Sequence, residues 1–208
     1  MIAIIDYDAG NLKSVEKACR RLGAQAVITR QAGEILKASH VILPGVGAFG
    51  TAMEQLKKYE LDKVIYEAVD KGLPFLGICL GQQLLFEGSS ESAGVEGLGI
   101  LRGRIVKIPD TEGLKIPHIG WNSLELQNDG RLFAGIEAQP YVYFVHSYYL
   151  QAEDEKIVKA VTEYGARIHA SVESGNVFAC QFHPEKSSAA GFKILENFIK
   201  AQGSPSGA

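Results

Sequence analysis

Cysteine is scarce in this chain of 208 residues, and the pattern it makes excludes a disulfide framework: Cys19, Cys79 and Cys180 are odd in number and far apart. Such usage points to a reducing compartment. Runs of one charge sign are missing too. The formal net charge is −3, and the pairs Arg20-Arg21 and Lys57-Lys58 read as solvated helix faces, so a nucleic-acid partner is not expected. No apolar run is long enough to span a membrane. The opening Met1-Ile2-Ala3-Ile4-Ile5-Asp6 has neither the basic leader nor the apolar length of a signal peptide. The expectation is a cytoplasmic protein that does not meet a membrane. Internal repeats are absent as well, and only residues 203–208 (GSPSGA) read as a disordered tail behind one domain spanning 1–202.

What is present suits a buried sheet. A hydrophobic fraction of 46% and a charged fraction of 22% are ordinary for a globular chain of a size that can cover a sheet with helices on both faces. Residues 2–6, 26–29 and 41–43 read as short strands, and Leu12, Val15, Ala18, Cys19 and Leu22 recur at helical spacing. Thr51-Ala52-Met53-Glu54 has the pattern of a capping box, predicting a helix from there towards Tyr59. Another helix is expected over 61–71, ending at Gly72 just before a short buried strand that opens the stretch 74–86. This alternation predicts a doubly wound, mostly parallel α/β sheet. Residues 88–103 read as a glycine- and serine-rich loop. Beyond it, strands over 104–108, 123–126, 141–149, 157–162, 167–172 and 177–182 are expected as antiparallel additions, with a last amphipathic helix carrying Phe192, Leu195, Phe198 and Ile199.

Three stretches can carry chemistry. Gly77-Ile78-Cys79-Leu80-Gly81 is a G-x-C-x-G corner, the thiol form of a nucleophile elbow, where a strand turns sharply into a helix and lifts the nucleophile above the sheet. The opposing reading is a buried cysteine that merely follows a strand. Gln83 lies one helical turn beyond Cys79 and could face a polar substrate or only wall a pocket. Gly45, Gly47 and Gly50 spell G-x-G-x-x-G, which admits a dinucleotide-binding oxidoreductase, but the motif follows the third strand and no acid ends the next one. The same loop could instead offer a backbone N–H to an oxyanion.

His183-Pro184-Glu185 is the sharper signal. Pro184 holds His183 in an extended conformation, and residues two apart on an extended chain share a face, so Glu185 can orient the imidazole. The same alternation sets Val177, Ala179, Gln181 and His183 on one face and Phe178, Cys180 and Phe182 on the other. Cys180 is then core, a zinc site from Cys180 and His183 is not expected, and Cys19 is core on its helical stripe. His40 and His169 read as structural, and His118 and His146 lack a carboxylate two residues on.

The cysteine corner, His183-Pro184-Glu185, the Pro44-Gly45-Val46-Gly47 loop and His146-Ser147-Tyr148-Tyr149 together resemble the class I glutamine amidotransferases across nearly the whole chain. Asp6-Tyr7-Asp8-Ala9-Gly10-Asn11-Leu12, Pro117-His118-Ile119-Gly120-Trp121-Asn122 and His183-Pro184-Glu185-Lys186-Ser187 are similar to one branch, the glutaminase subunits of imidazole glycerol phosphate synthase. Asp8 and Gln82 depart from the commoner glycine and methionine. The resemblance implies a glutaminase with Cys79, His183 and Glu185 as its triad, and Val46 and Leu80 N–H groups as the oxyanion hole. It implies glutamine held by Gly45, Gly47, Gln83, His146, Ser147 and Tyr148, and no cofactor. The ammonia would pass to a cyclase subunit, an α/β barrel bound as a heterodimer partner through Asn11, Trp121 and Lys186. The oxyanion loop would be inactive until the liganded partner resets it. Other acceptors, as in pyridoxal phosphate or anthranilate synthesis, remain open at this point.

Overall fold

The short apolar runs of the first half become parallel strands: β1 (Ile2–Ile5), β2 (Ala26–Thr29), β3 (His40–Gly45) and β4 (Phe75–Cys79). The computed structural model describes residues 1–203 except Ala9 and Asn128; the expected tail beyond Gly203 lies outside the described residues. β1 pairs in parallel with β2 and β3, and β3 with β4. The period-2 alternation of β1 shows why the sheet needs cover on both sides. Ala3 and Ile5 join one core with Phe49, Leu56 and Ile65, whereas Ile2 and Ile4 join a second with Val15, Ile194 and Phe198.

Helices α1 (Leu12–Arg21), α2 (Ala32–Ile35), α3 (Phe49–Lys58), α4 (Leu61–Asp70) and α5 (Leu80–Leu84) connect or follow these strands, and α6 (Ser188–Lys200) closes the fold. The expected capping box at Thr51 does not form: α3 begins two residues earlier, at Phe49, without a side-chain cap from its own N-terminus. Its first free N–H groups are satisfied from a distant loop, Phe49 N–H by Glu91 Oε2 at 2.8 Å and Gly50 N–H by Ser92 Oγ at 3.0 Å. A tertiary cap has replaced the local one.

The second half supplies β5 (Gly103–Lys107), β6 (His118–Ser123), β7 (Glu125–Leu126), β8 (Tyr141–His146), β9 (Tyr148–Ala152), β10 (Val158–Glu163), β11 (Arg167–Ser174) and β12 (Val177–Cys180). Among the described residues, eight strands form one sheet in the order β2-β1-β3-β4-β12-β11-β10-β7. β12 continues the parallel set beside β4, and β11, β10 and β7 are antiparallel additions. The expectation that every later strand joins this sheet fails in part. β5 pairs with β9 and β6 with β8 in separate two-stranded ribbons. The strand expected over 141–149 is broken at Ser147 between β8 and β9, because its two halves serve different partners. β6 starts at His118, earlier than expected, drawn into register with His146.

Candidate active site

β4 delivers Cys79 to the carboxyl edge of the parallel sheet, the usual ligand side of an open α/β sheet. Cys79 has φ 55° and ψ −111°, a backbone conformation that costs a non-glycine residue about 1–3 kcal/mol and persists only where the surroundings impose it. The flanking glycines make the corner possible. A Cβ on Gly77 would lie 2.7 Å from the Gly81 carbonyl, and one on Gly81 would collide with the Leu43 carbonyl. Cys79 is 6% exposed and opens on a cleft of about 280 Å³ lined by Val46, Gly47, Leu80, Gln83, Glu91, His146, Ser147, Tyr148 and His183, among others.

His183 stands on the chain just after β12. Its backbone is extended, but Pro184–Lys186 then folds into a 3₁₀ turn, so the strand alternation expected through residue 183 ends at Cys180. Tertiary bonds fix the imidazole's base instead. His183 N–H donates to the Tyr143 carbonyl at 2.9 Å, and Ser187 Oγ donates to the His183 carbonyl at 2.6 Å. His183 Nδ1 meets Glu185 Oε1 at 2.8 Å with both side chains buried. Asn11 Nδ2 donates to the same carboxylate oxygen at 3.1 Å. Burial pulls the imidazolium down, but the Cys79 sulfur and then the Glu185 carboxylate outweigh it and raise its pKa to about 9. The influence of Cys79 acts by proximity, since His183 Nε2 has no aligned hydrogen-bond partner in this resting geometry. Such bonds commonly tighten only once substrate is bound.

Besides the nearby His183, two polar groups among the described residues are aligned on the sulfur. Sγ approaches the Val145 carbonyl at 3.9 Å, and Gln181 Nε2 donates to Sγ at 3.7 Å. Gln181 is fully buried; its place on the His183 face was visible in the strand alternation, but not its contact with the thiol. Glu91 was also missed, because nothing in the loop sequence shows that its carboxylate caps α3 at the rim of the cleft.

The expected substrate residues line the cleft, Gly45 excepted, which lies just behind it. Gln83 has its amide N–H groups engaged by the Tyr148 carbonyl at 3.0 Å and Gln181 Oε1 at 2.9 Å, which leaves Oε1 for a ligand. His146 has both ring nitrogens engaged: Nδ1 with the Tyr148 carbonyl at 2.9 Å, Nε2 with His118 Nδ1 at 3.2 Å. A carbonyl can only accept, so His146 carries its proton on Nδ1 and His118 donates into the bare Nε2. Burial lowers their pKa values to about 4 for His118 and about 3 for His146. Val46 is 41% exposed and Gly47 has φ 102°, while Tyr7 Oη donates to the Pro44 carbonyl at 2.9 Å and pins the start of that loop.

The three expected interface residues border the triad. Trp121 is 50% and its neighbour Ile119 60% exposed on β6, and Trp121 packs edge-on against Tyr143, whose carbonyl holds His183. Lys186 is exposed one residue beyond Glu185, and Asn11 holds Glu185 itself.

A strained cysteine at a strand-to-helix corner, with an imidazole and a carboxylate just beyond the neighbouring parallel strand, is the arrangement of an α/β protein suited to acyl transfer through a thiol. Residues 3–201 match the family model "Glutamine amidotransferase class-I", and the chain belongs to that family. A crystal structure described as a glutamine amidotransferase shares the fold with a TM-score of 0.75 at 20% identity, covering 96% of this chain and 98% of its own. Within the family, the chain is 50% identical over 200 residues to imidazole glycerol phosphate synthase subunit HisH of Methanocaldococcus jannaschii, covering 96% of this chain and 99% of that protein. It is 52% identical over 198 residues to the HisH subunit of Caldanaerobacter subterraneus subsp. tengcongensis, covering 95% and 97%.

Proposed function

We propose that this protein is the glutaminase subunit of an imidazole glycerol phosphate synthase, hydrolysing glutamine for histidine biosynthesis. The single observation that carries the chemistry is Cys79, strained at the corner and open to a cleft beside the buried His183–Glu185 pair. Cys79 gives its thiol proton to His183, the thiolate sulfur attacks the side-chain amide carbon of glutamine, and the carbonyl π electrons move onto oxygen. The N–H groups of Leu80 and Val46 receive that oxyanion, an arrangement in which losing one donor typically costs about 10²–10³ in rate. Collapse of the intermediate breaks the C–N bond as His183 gives its proton to the leaving nitrogen, releasing ammonia and leaving a thioester. His183 then takes a proton from water, the hydroxide adds to the thioester carbon, and glutamate leaves as the thiolate reforms. Glu185 orients the imidazole and stabilises its protonated form throughout.

Ammonia in bulk water is largely protonated and loses its nucleophilicity, which favours a sheltered route to its acceptor. The acceptor site lies in a cyclase subunit of α/β-barrel form, bound as a heterodimer partner over the face carrying Asn11, Trp121 and Lys186. There ammonia enters a phosphoribulosyl-formimino carboxamide nucleotide, giving imidazole glycerol phosphate and an aminoimidazole carboxamide ribotide. The glycine-rich Gly45–Gly47 backbone is reset into its oxyanion-binding form when the liganded partner docks. The dinucleotide-binding reading of the same loop has a physical obstacle, since the first N–H groups of α3, which would hold a pyrophosphate, are already taken by Glu91 and Ser92. Among the described residues no helix is long and apolar enough to cross a membrane.

The test is synthase activity with the purified cyclase and its nucleotide substrate, for wild type and Cys79→Ala. Glutamine-dependent synthesis should vanish in the variant while ammonia-dependent synthesis persists. Glutamine use surviving in Cys79→Ala would overturn the reading.

A further inference from the structure

We propose that Gln181 is a further catalytic residue, whose buried side-chain amide donates a hydrogen bond to the Cys79 sulfur and stabilises the attacking thiolate. The argument starts from a group whose role is fixed. The Tyr148 carbonyl can only accept, so the Gln83 amide must turn its NH₂ towards it, and it does so at 3.0 Å. The same NH₂ reaches a Gln181 side-chain atom at 2.9 Å, which must therefore be the acceptor oxygen. That leaves the Gln181 NH₂ facing Cys79 Sγ at 3.7 Å. The orientation of both amides thus follows from one backbone oxygen, with no free choice along the chain of bonds. Flipping Gln83 would set two acceptors face to face, and flipping Gln181 would set two NH₂ donors face to face, each in a buried site where both groups stay desolvated.

The chemistry of the sulfur gives this donor a purpose. The Val145 carbonyl, 3.9 Å from Sγ, accepts only from the neutral thiol. An N–H on the opposite contact favours the anion. Gln181 therefore sets the balance between the inert and reactive forms without itself taking a proton. The titratable groups coupled electrostatically to the sulfur are His183 after β12, Cys180 on β12 and Tyr7 after β1, and Glu91, His146 and Tyr148 also line the cleft. Gln181 is a neutral donor among them, so its contribution does not fade across the working pH range.

The inference rests on the reading of Cys79 as nucleophile, and the experiment separates the two. The full-length protein is alkylated with iodoacetamide across a pH series, and the modification at Cys79 is quantified by mass spectrometry of its own peptide. Gln181→Leu should move the alkylation midpoint upward by about one pH unit, roughly a tenfold rate loss at neutral pH, and lower kcat more than it alters KM. Gln181→Glu, which keeps the acceptor for Gln83 but sets a negative charge on the sulfur, should move it further. Gln82→Met removes an equally buried amide that bonds the His169 carbonyl instead, and should leave the profile in place. In unsubstituted protein the Gln181 side-chain NH₂ resonance should shift on alkylation of Cys79, a readout independent of any variant's folding. An unmoved resonance, or a wild-type profile in folded Gln181→Leu, would overturn the proposal. Failure of the nucleophile reading looks different: Cys79→Ala would then still hydrolyse glutamine.

Discussion

Two pairs of side chains in this molecule bury imidazole to nearly the same extent and treat its proton in opposite ways. His183 is given a carboxylate and a sulfur, and its pKa rises to about 9. His118, stacked on Phe144 and Tyr164, and His146 are given each other, and fall to about 4 and about 3. Desolvation acts against charge in both places, so burial alone does not decide. The partner does. The pair without an acid is kept neutral and structural, tying β6 to β8 and to the Tyr148 carbonyl. The histidine with an acid is held ready to carry a proton beside the nucleophile.

The comparison breaks hardest if His183 loses its acid. Glu185→Gln leaves the imidazole buried beside the sulfur with no carboxylate, and its pKa should drop towards that of the neutral pair. Glutaminase kcat with the cyclase present should fall by roughly 10²–10⁴, the range of a lost acid–base function. A loss below tenfold would mean that the sulfur alone holds the imidazolium.

Acid stability probes the neutral pair. Folded His118 and His146 titrate below the ordinary value of 6.5, so between that value and their lowered pKa values the unfolded state binds more protons. Stability should therefore fall as pH drops from about 6.5 towards 4, by up to about 1.4 kcal/mol per pH unit for each histidine. Lowered pKa values at His40 and His169 act in the same direction. His183 has the opposite sign: its contribution is present in full below about 6.5 and is lost as pH rises through about 9. Urea midpoints at about pH 7 and about pH 5 should separate more in wild type than in His118→Phe, which removes one of the acid-sensitive groups.

A smaller effect is expected one step out from the acid. Asn11→Ala removes the 3.1 Å bond to Glu185 Oε1, and a hydrogen bond to a charged group contributes roughly 1.5–3 kcal/mol. Part of this is recovered by solvent, so kcat should fall about tenfold while KM for glutamine changes little. A change confined to cyclase affinity would place Asn11 at the interface only.

Much of this was legible in the residues and some was not, for physical reasons. Continuous apolar runs mark buried parallel strands whatever their neighbours; β1 and β2 fell where expected, and the strand expected before the cysteine corner is β4. The cysteine corner and His183-Pro184-Glu185 are local motifs, so their chemistry shows in the chain. The contacts that complete the site are long-range. Glu91 and Ser92 cap α3 from another loop, overriding the local pattern at Thr51. His118 reads as a weak base for want of a carboxylate two residues on, and its pairing with His146 appears only when β6 and β8 align. Gln181 shared a face with His183 on paper, yet its bond to Cys79 depends on β12 lying beside β4.

The most direct measurement is a ¹⁵N-imidazole NMR titration of all five histidines in the intact protein. The account predicts that His183 stays protonated through neutrality with a midpoint near 9, while His118 and His146 remain neutral, proton on Nδ1, to below pH 5. His183 titrating with the others, near or below its ordinary value, would contradict it.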